Sequence, residues 1–225
     1  MPFLNPISII SILIALSIHE WAHAIVATKL GDPTPGEHGR LTVNPIAHLD
    51  PLGALLFLAV GFGWAKPVPV NPLYFRHPRR DTCLVAAAGP ASNLVLAFIA
   101  LAGLAMLGQG AELSAMGLLE TPARGQVLTA FVLQLLASSL FINLGLMAFN
   151  LLPIAPLDGS KVLQAFIPRR FADRYEEFMR VGMYILLAIF VAEGIFHIPI
   201  LSIWIVTIMD AVLAGMQSVV GLFVQ

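Results

Sequence analysis

The sequence predicts an all-α membrane protein, a polytopic helical bundle of about five transmembrane helices. Hydrophobic residues make up 58% of the 225 residues and charged residues only 11%, whereas soluble domains contain about 25% charged residues. The mean hydropathy is +0.87, and several uncharged stretches approach or exceed the roughly 20 apolar residues that cross a bilayer. These observations exclude a soluble globular protein and an intrinsically disordered one.

Net charge and cysteine content exclude two further classes of protein. The formal net charge of −1 argues against the basic surface that a nucleic-acid-binding protein needs, so no nucleic-acid partner is expected. Cys83, the single cysteine in the sequence, cannot form an internal disulfide framework or a four-cysteine zinc site. The expected surroundings of this chain are therefore the lipid bilayer and other membrane proteins.

The first apolar stretch, residues 3–30, is long enough to span a membrane although it contains His19, Glu20, His23 and Lys29. A signal peptide is the alternative interpretation of the first 25 residues. A signal peptide needs a basic segment before its apolar core, and no Lys or Arg precedes Lys29. A transmembrane helix is therefore the favoured interpretation.

The next segment, residues 31–81, is predicted to be a long loop rich in Pro and Gly. Residues 51–64 are apolar, but as a helix they would extend only about 21 Å, which is too short to cross comfortably. They are predicted to be a re-entrant or interfacial piece. Residues 40–44 are predicted to form a short strand, which would be the small β element of the 31–50 loop.

Four further spans complete the prediction, and the whole chain, residues 1–225, is expected to form a single transmembrane domain with no appended soluble domain. Two of these spans contain an acid, Glu193 or Asp210. The predicted spans are residues 83–108, 127–152, 178–196 and 198–223.

Basic residues predict the orientation, because cytoplasmic loops carry an excess of Lys and Arg. With five spans, eleven of the twelve Lys and Arg residues fall in two loops on one side, and only Arg124 falls on the other. The N-terminus is therefore expected outside, with the C-terminus and both basic loops in the cytoplasm. The cytoplasmic residues are Lys29, Arg40, Lys66, Arg76, Arg79, Arg80, Lys161, Arg169, Arg170, Arg174 and Arg180.

The first predicted helix contains the pattern H-E-x-x-H, from His19 to His23. Residues at i and i+4 share one face of a helix, so both imidazoles can bind one metal ion. Glu20 lies beside that face, where a general base for a water activated by zinc would be needed. Ionisable groups inside a span are costly and usually functional, so a zinc site is favoured over histidines that only bond to neighbouring helices.

A catalytic zinc ion has three protein ligands and one open position, so a third ligand must come from elsewhere in the chain. Glu193 lies at the outer end of its span, far from the histidines at the inner end of theirs. Asp210 lies in mid-span and is possible. Asp158 follows two helix-breaking residues, Pro153 and Pro156, and could fold back to the histidines. Asp158 could instead serve as the N-cap of the helix after it.

These residues complete a pattern that resembles the site-2 protease family of intramembrane zinc metalloproteases. Residues 19–23 are similar to the zinc motif of that family, and residues 150–159, ending in Leu-Asp-Gly, to its second motif. The segments 40–48, 64–71 and 88–93 also resemble the family. The resemblance implies that Asp158 is the third ligand of one Zn²⁺ per chain. It also implies cleavage of transmembrane segments of other, often membrane-tethered, proteins.

The expected activity is thus that of an intramembrane zinc endopeptidase, with His19, His23 and Asp158 as ligands and Glu20 as general base. The expected partners are single-pass transmembrane substrates, and the expected location is the plasma membrane of a prokaryote. A metal transporter or sensor and a catalytically silent helix-binding scaffold are the alternatives.

Two asparagines offer amide donors near the predicted site. Asn93 and Asn150 could stabilise an oxyanion or hold the backbone of a stretched substrate. The alternative for both is hydrogen bonding between helices, which is common for Asn in membrane bundles.

Overall fold

The computed structural model describes residues 5–60, 63–107 and 127–222, and within them the architecture is all-α. Five helices are long and apolar enough to cross a membrane, which confirms the predicted multi-pass helical bundle. These are α1, α5, α6, α8 and α9 of the following series. The helices are α1 (Pro6–Lys29), α2 (Thr34–Glu37), α3 (Pro45–His48), α4 (Pro51–Val60), α5 (Pro78–Met106), α6 (Val127–Asn150), α7 (Asp158–Phe166), α8 (Ala172–Phe196) and α9 (Ile200–Gly221).

The ends of α1 follow from its sequence. The side chain of Asn5 accepts a hydrogen bond from the backbone N–H of Ser8 at 2.7 Å, and Pro6 occupies the first helical position, a combination that favours a helix start. Lys29 lies in the last turn, where a cation interacts favourably with the helix dipole. At 1.5 Å per residue, the 24 residues of α1 extend about 36 Å, enough for the hydrocarbon core.

Helix α5 lies at the centre of the bundle and packs against α1, α6, α7 and α9. Leu101 and Leu104 of α5 and Leu140 and Leu144 of α6 are fully buried in the largest apolar cluster among the described residues. Helix α8 exposes most of its large apolar side chains and α9 exposes several, as expected of surfaces that contact lipid. The interior formed by α1, α5 and α6 is therefore the part of the bundle that can shelter polar groups.

The short strand predicted at residues 40–44 does not form. The backbone there is engaged by local side-chain contacts instead. The buried Arg40 donates a hydrogen bond to the carbonyl of Ala47, and His48 donates to the carbonyl of Thr42 at 2.7 Å. Asn44 then caps α3, so the chain curls into a turn where a strand would need an extended backbone and a partner.

The residues that flank the segment 51–64 lie next to each other, as expected at the two ends of a re-entrant segment. Leu49 and Ala65 form an antiparallel bridge, and the backbone N–H of Lys66 donates to the carbonyl of His48 at 2.8 Å. Helix α4 has ten residues, about 15 Å at helical rise. Its two flanks are hydrogen bonded to each other, which fits the predicted re-entrant or interfacial piece.

The turn between α6 and α7 is held by close backbone approaches. A Cβ atom added at Gly159 would overlap the carbonyl groups of Leu151 and Leu152, and one added at Gly182 of α8 would overlap Ala155. The hydroxyl of Tyr175 donates a hydrogen bond to the carbonyl of Ser160 at 2.6 Å (Tyr175 also belongs to α8). These contacts fix the start of α7, and therefore Asp158, against the bundle.

Candidate metal centre

His19 and His23 lie one turn apart on the face of α1 that points into the bundle. Both residues are buried, with exposed fractions of 4% and 8%. Their Nε2 atoms are 3.0 Å apart. The two imidazoles therefore converge on one point, as the H-E-x-x-H spacing predicts for a helix.

Asp158, the first residue of α7, completes a cluster of three ligand-type groups. Its Oδ2 atom lies 3.2 Å from the Nε2 atom of His19 and 3.2 Å from that of His23. The three ligand atoms lie within 4.8 Å of one another. The structure thus brings together two residues of α1 and one residue that follows them by more than 130 positions in the sequence.

In each imidazole, the hydrogen-bond partner of Nδ1 fixes which of the two nitrogens carries the proton. His19 Nδ1 lies 2.6 Å from Oδ1 of Asn93, and His23 Nδ1 lies 2.7 Å from the carbonyl oxygen of Val85. Both of those oxygens accept hydrogen bonds, so each Nδ1 is the donor and each Nε2 carries a lone pair. Partners of this kind orient the histidines of metal sites.

Three electron pairs therefore face one another, which fits a site built for a cation. Oδ2 of Asp158 is buried and has no hydrogen-bond partner, and a buried polar atom of this kind is costly unless something compensates it. Tetrahedral zinc with bonds of about 2.0–2.1 Å places its ligand atoms about 3.3 Å apart. The observed separations of 3.0–3.2 Å match that geometry, and two imidazoles with one carboxylate are ligands that zinc accepts.

The charge of Asp158 suits the same role. Burial alone would raise the pKa of its carboxyl group, but imidazoles of His19 and His23 that are protonated at Nε2 in the metal-free protein would outweigh burial and lower that pKa well below its ordinary value. The carboxyl group is therefore ionised at neutral pH. An ionised carboxylate is the form that binds a metal ion.

Gly89 of α5 makes room for the two imidazoles. A Cβ atom at this position would lie 2.6 Å from Nε2 of His19 and would overlap Nε2 of His23. Gly89 is followed by Pro90 inside a continuous α5. Glycine is thus required here by the close approach of α5 to the cluster, which is a packing reason and not a conformational one.

Glu20 lies beside the cluster and is held by a different part of the chain. Its Oε2 atom accepts a hydrogen bond from the backbone N–H of Val68 at 3.2 Å. Residues 66–71 have no helical or strand assignment, and they follow the bridge at Ala65 that closes the re-entrant segment. The loop after α4 therefore reaches the side of α1 on which Glu20 lies.

Asn93 contacts the cluster directly, through the other nitrogen of His19. It is fully buried, accepts from His19 and donates to Oδ1 of Asn143 at 2.8 Å, with the carbonyl of Ala15 at 3.4 Å. Its amide donors are thus engaged inside the protein. These are hydrogen bonds between helices, and the oxyanion role of Asn93 stays a prediction.

Asn150 ends α6, and its side-chain amide donates to the carbonyl of Leu146 at 3.0 Å. This is a contact to the preceding turn of its own helix, and the side chain is half-buried. The contact is local and leaves the predicted role of Asn150 untested. Asn150 begins the turn whose other end is Asp158.

The two remaining acids considered from sequence lie elsewhere. Glu193 accepts hydrogen bonds from the backbone N–H groups of Leu201 and Ser202 at 2.8 and 3.1 Å, at the start of α9. Asp210 is exposed on α9. Neither belongs to the His19–His23–Asp158 group, which is the one possible metal-binding cluster found among the described residues.

Sequence reasoning missed three contributors to this site. Val85 acts through its carbonyl oxygen and Val68 through its N–H, and a backbone group leaves no signature in residue type. Asn143 is the third, and its position inside an apolar span was a detectable signal, since a buried amide needs partners.

Comparison with known proteins relates this chain to metalloproteases, in agreement with a metal-binding cluster at His19, His23 and Asp158. The model of peptidase family M50 matches residues 7–192. A Bacillus subtilis (strain 168) protein named as a zinc metalloprotease, YwhC, is 40% identical over 191 residues, covering 84% of this chain and 81% of that protein. Another protein so named, Rip2 of Mycobacterium tuberculosis (strain ATCC 25618 / H37Rv), is 32% identical over 187 residues, covering 80% of this chain.

The alignment covers 64% of the length of Rip2, so this chain spans just under two thirds of that relative. No solved structure matches the chain significantly. The family match covers well over half of the 225 residues and includes both histidines and Asp158. The chain therefore belongs to peptidase family M50, the site-2 protease family of metalloproteases.

Proposed function

We propose that this chain is an intramembrane zinc endopeptidase that cleaves transmembrane segments of membrane-tethered proteins. One observation carries the proposal: two imidazole lone pairs and the carboxylate of Asp158 converge within a transmembrane bundle, with Glu20 beside them. Polar groups of this kind are costly inside a membrane and are retained for function. Membership of a metalloprotease family supports the same chemistry.

In this proposal His19, His23 and Asp158 hold one zinc ion per chain. When bound, zinc would polarise the scissile carbonyl and lower the pKa of a water molecule toward neutrality. Asn93 and the carbonyl of Val85 keep the two imidazoles in the orientation that binds it. Three protein ligands leave a fourth position open, as catalytic zinc sites require.

Glu20 is the general base of the proposed reaction. It follows His19 by one residue, so it is rotated by about 100° around α1 and lies next to the ligands without joining them. Its carboxylate takes a proton from the attacking water and later gives it to the amine of the leaving peptide. The hydrogen bond from Val68 holds one carboxylate oxygen in place during this transfer.

The proposed substrates are single-pass transmembrane proteins. Within a helix each amide is engaged by hydrogen bonds four residues apart, so the substrate must unwind before its carbonyl can be attacked. Asn150 remains a candidate for contacting the stretched backbone or the oxyanion.

The proposed orientation places the site near the cytoplasmic face of the plasma membrane of a prokaryote. His23 precedes Lys29 at the basic end of α1 by six residues, which is about 9 Å along the helix. The excess of Lys and Arg in the two inner loops supports this orientation. A shallow site of this kind lets water approach from the cytoplasm, since the hydrocarbon excludes it.

A metal transporter is the main alternative from another functional class, and the positions of the acids argue against it. A transporter needs ligands along a path to the outer face. Glu193 instead binds the backbone at the start of α9, and Asp210 is exposed on that helix. Neither acid continues a path from the cluster.

The direct test is cleavage by the purified protein in detergent or liposomes. Single-span helices from membrane-tethered proteins are incubated with it, with and without a zinc chelator, and the products are analysed by mass spectrometry. The proposal predicts cuts within the apolar segment that stop with the chelator and return when zinc is added. Zinc flux into liposomes without cleavage of any substrate would favour the transporter and refute the proposal.

A further inference from the structure

Asn143 is a buried amide in the middle of α6 that the proposed reaction does not use. Its exposed fraction is 0%, and it lies within a helix long enough to span the membrane. A buried amide is costly unless its donors and its acceptor are satisfied. The partners of Asn143 therefore indicate what it does.

Those partners form a chain of three hydrogen bonds that ends at the candidate metal centre. Asn143 Nδ2 donates to the carbonyl oxygen of Ser139 at 2.8 Å, and Asn93 Nδ2 donates to Asn143 Oδ1 at 2.8 Å. His19 Nδ1 then donates to Asn93 Oδ1 at 2.6 Å. The three side chains that form these hydrogen bonds, those of His19, Asn93 and Asn143, are all buried.

The carbonyl of Ser139, at the far end of this series of hydrogen bonds, determines which atom donates and which accepts in each of them. A backbone carbonyl can only accept, so the amide of Asn143 must turn its NH₂ group to Ser139 and its oxygen to Asn93. Asn93 must then present its NH₂ group to Asn143 and its oxygen to His19. The carbonyl of Ala15, 3.4 Å from Asn93 Nδ2, favours the same orientation.

We propose that Asn143 is a positioning residue that acts through Asn93 to fix the proton of His19 on Nδ1. The lone pair of Nε2 is then committed to the metal. Asn143 touches neither the metal nor a substrate, and its effect passes through one intervening amide. This inference rests on the proposed zinc site, and it adds a requirement on α6 that the three ligands alone do not impose.

A purely structural role, in which Asn143 only joins α6 to α5, makes a different prediction. A structural amide would stabilise the bundle without changing the tautomer of His19 or the affinity for metal per folded molecule. Leu144 provides the matched control. It is the next residue on α6, is also 0% exposed, and packs in the apolar core.

The test uses the purified full-length protein in detergent. Two variants remove the hydrogen bond between residue 143 and Asn93, and one variant keeps the oxygen that accepts it. Asn143→Leu and Asn143→Ser cannot reach Asn93 with an oxygen. Asn143→Asp retains an oxygen for the NH₂ group of Asn93. Zinc affinity is measured by competition with a chromophoric chelator. The tautomer of His19 is read from its imidazole ¹⁵N shifts in the zinc-free protein.

The expected result is that Asn143→Leu and Asn143→Ser bind zinc about 10-fold more weakly, the low end of the range for outer partners of metal ligands. Their His19 becomes a mixture of tautomers. Asn143→Asp and Leu144→Ala should keep the Nδ1–H form and bind zinc within a few-fold of the parent chain. Asn143→Ser serves the same purpose if Asn143→Leu does not fold.

Unchanged zinc affinity and an unchanged His19 tautomer in the folded Leu or Ser variant would overturn the proposal. An equal loss of affinity in Leu144→Ala would also overturn it, because the effect would then belong to helix packing. Failure of the parent chain to bind zinc would refute the zinc site itself. That result is distinct from the failure of Asn143 to act on it.

Discussion

The backbone N–H of Val68 donates a hydrogen bond to Oε2 of Glu20 at 3.2 Å, although the two residues are 48 positions apart. Val68 is flanked by Pro67 and Pro69, and proline has no N–H. Val68 is therefore the one backbone donor in this three-residue stretch, and it is directed at the side chain proposed as the general base. The contact joins the loop after the re-entrant segment to the helix that carries the two histidines.

Replacing Val68 with proline should slow cleavage while leaving the metal bound. The substitution removes the N–H with little change of backbone, because a residue before proline is already confined to extended conformations. Loss of a hydrogen bond to a charged group costs about 1.5 kcal/mol or more, so kcat should fall about 10-fold. Val68→Ala keeps the N–H and is the control. Equal kcat values for the two variants would show that the contact does not orient Glu20.

Gly89→Ala should weaken zinc binding. A Cβ atom at this position overlaps the imidazoles of His19 and His23, and overpacking of this kind costs about 1–3 kcal/mol. If this cost falls on the two ligands, zinc affinity decreases about 5- to 150-fold. Gly194→Ala on α8 is the matched control, because a Cβ atom there meets nothing within 4 Å. Parent-like affinity in Gly89→Ala would show that α5 moves away without disturbing the ligands.

Asp158→Ala should bind zinc more weakly than any variant that only removes a hydrogen-bond partner of a metal ligand. It removes one of the three converging ligand atoms, so the loss of affinity should exceed the roughly 100-fold that the removal of an outer partner costs at most. Asp210→Ala should retain one zinc per chain, because Asp210 is exposed on α9. Metal analysis after dialysis against a chelator measures both. Zinc retained by Asp158→Ala but lost by Asp210→Ala would move the third ligand to α9.

Much of this fold was predictable because its determinants are local in sequence. The spans depend on runs of apolar residues, and the pairing of His19 with His23 depends only on helical periodicity. Helix ends were less predictable. Helix α5 begins at Pro78, before the predicted start of the span at residue 83, because Pro78 suits a first helical position and Asp81 accepts from the N–H of His77 at 2.9 Å.

What the sequence could not predict depends on contacts between distant segments. One such contact is the fit of Gly89 against two imidazoles, and another is the series of hydrogen bonds from Asn143 to His19. Both require α1, α5 and α6 to be packed together. The strand predicted at residues 40–44 was wrong for a related reason. Its residue types suit a strand, but Arg40 and His48 bind the local backbone and leave no partner for an extended ladder.

The orientation of the chain can be tested by cysteine labelling in intact cells. In a Cys83→Ala background, Ile198→Cys, in the exposed connection between α8 and α9, should react with an impermeant thiol reagent added outside. Arg79→Cys, at the start of α5, should react only after the cells are opened, because the basic loops are expected inside. The reverse pattern would place the metal centre at the outer face.

The most direct test of the central claim is cleavage of a single-span substrate by Glu20→Gln, measured together with its zinc content. Glutamine keeps the shape of the side chain but cannot take a proton from water. Loss of a general base typically lowers the rate by about 10² to 10⁴, and Glu20 lies outside the ligand cluster. The variant should therefore hold one zinc per chain and show cleavage reduced by that factor, while Glu177→Gln, an exposed substitution on α8, cleaves normally. Cleavage by zinc-loaded Glu20→Gln at the parent rate would contradict the proposed mechanism.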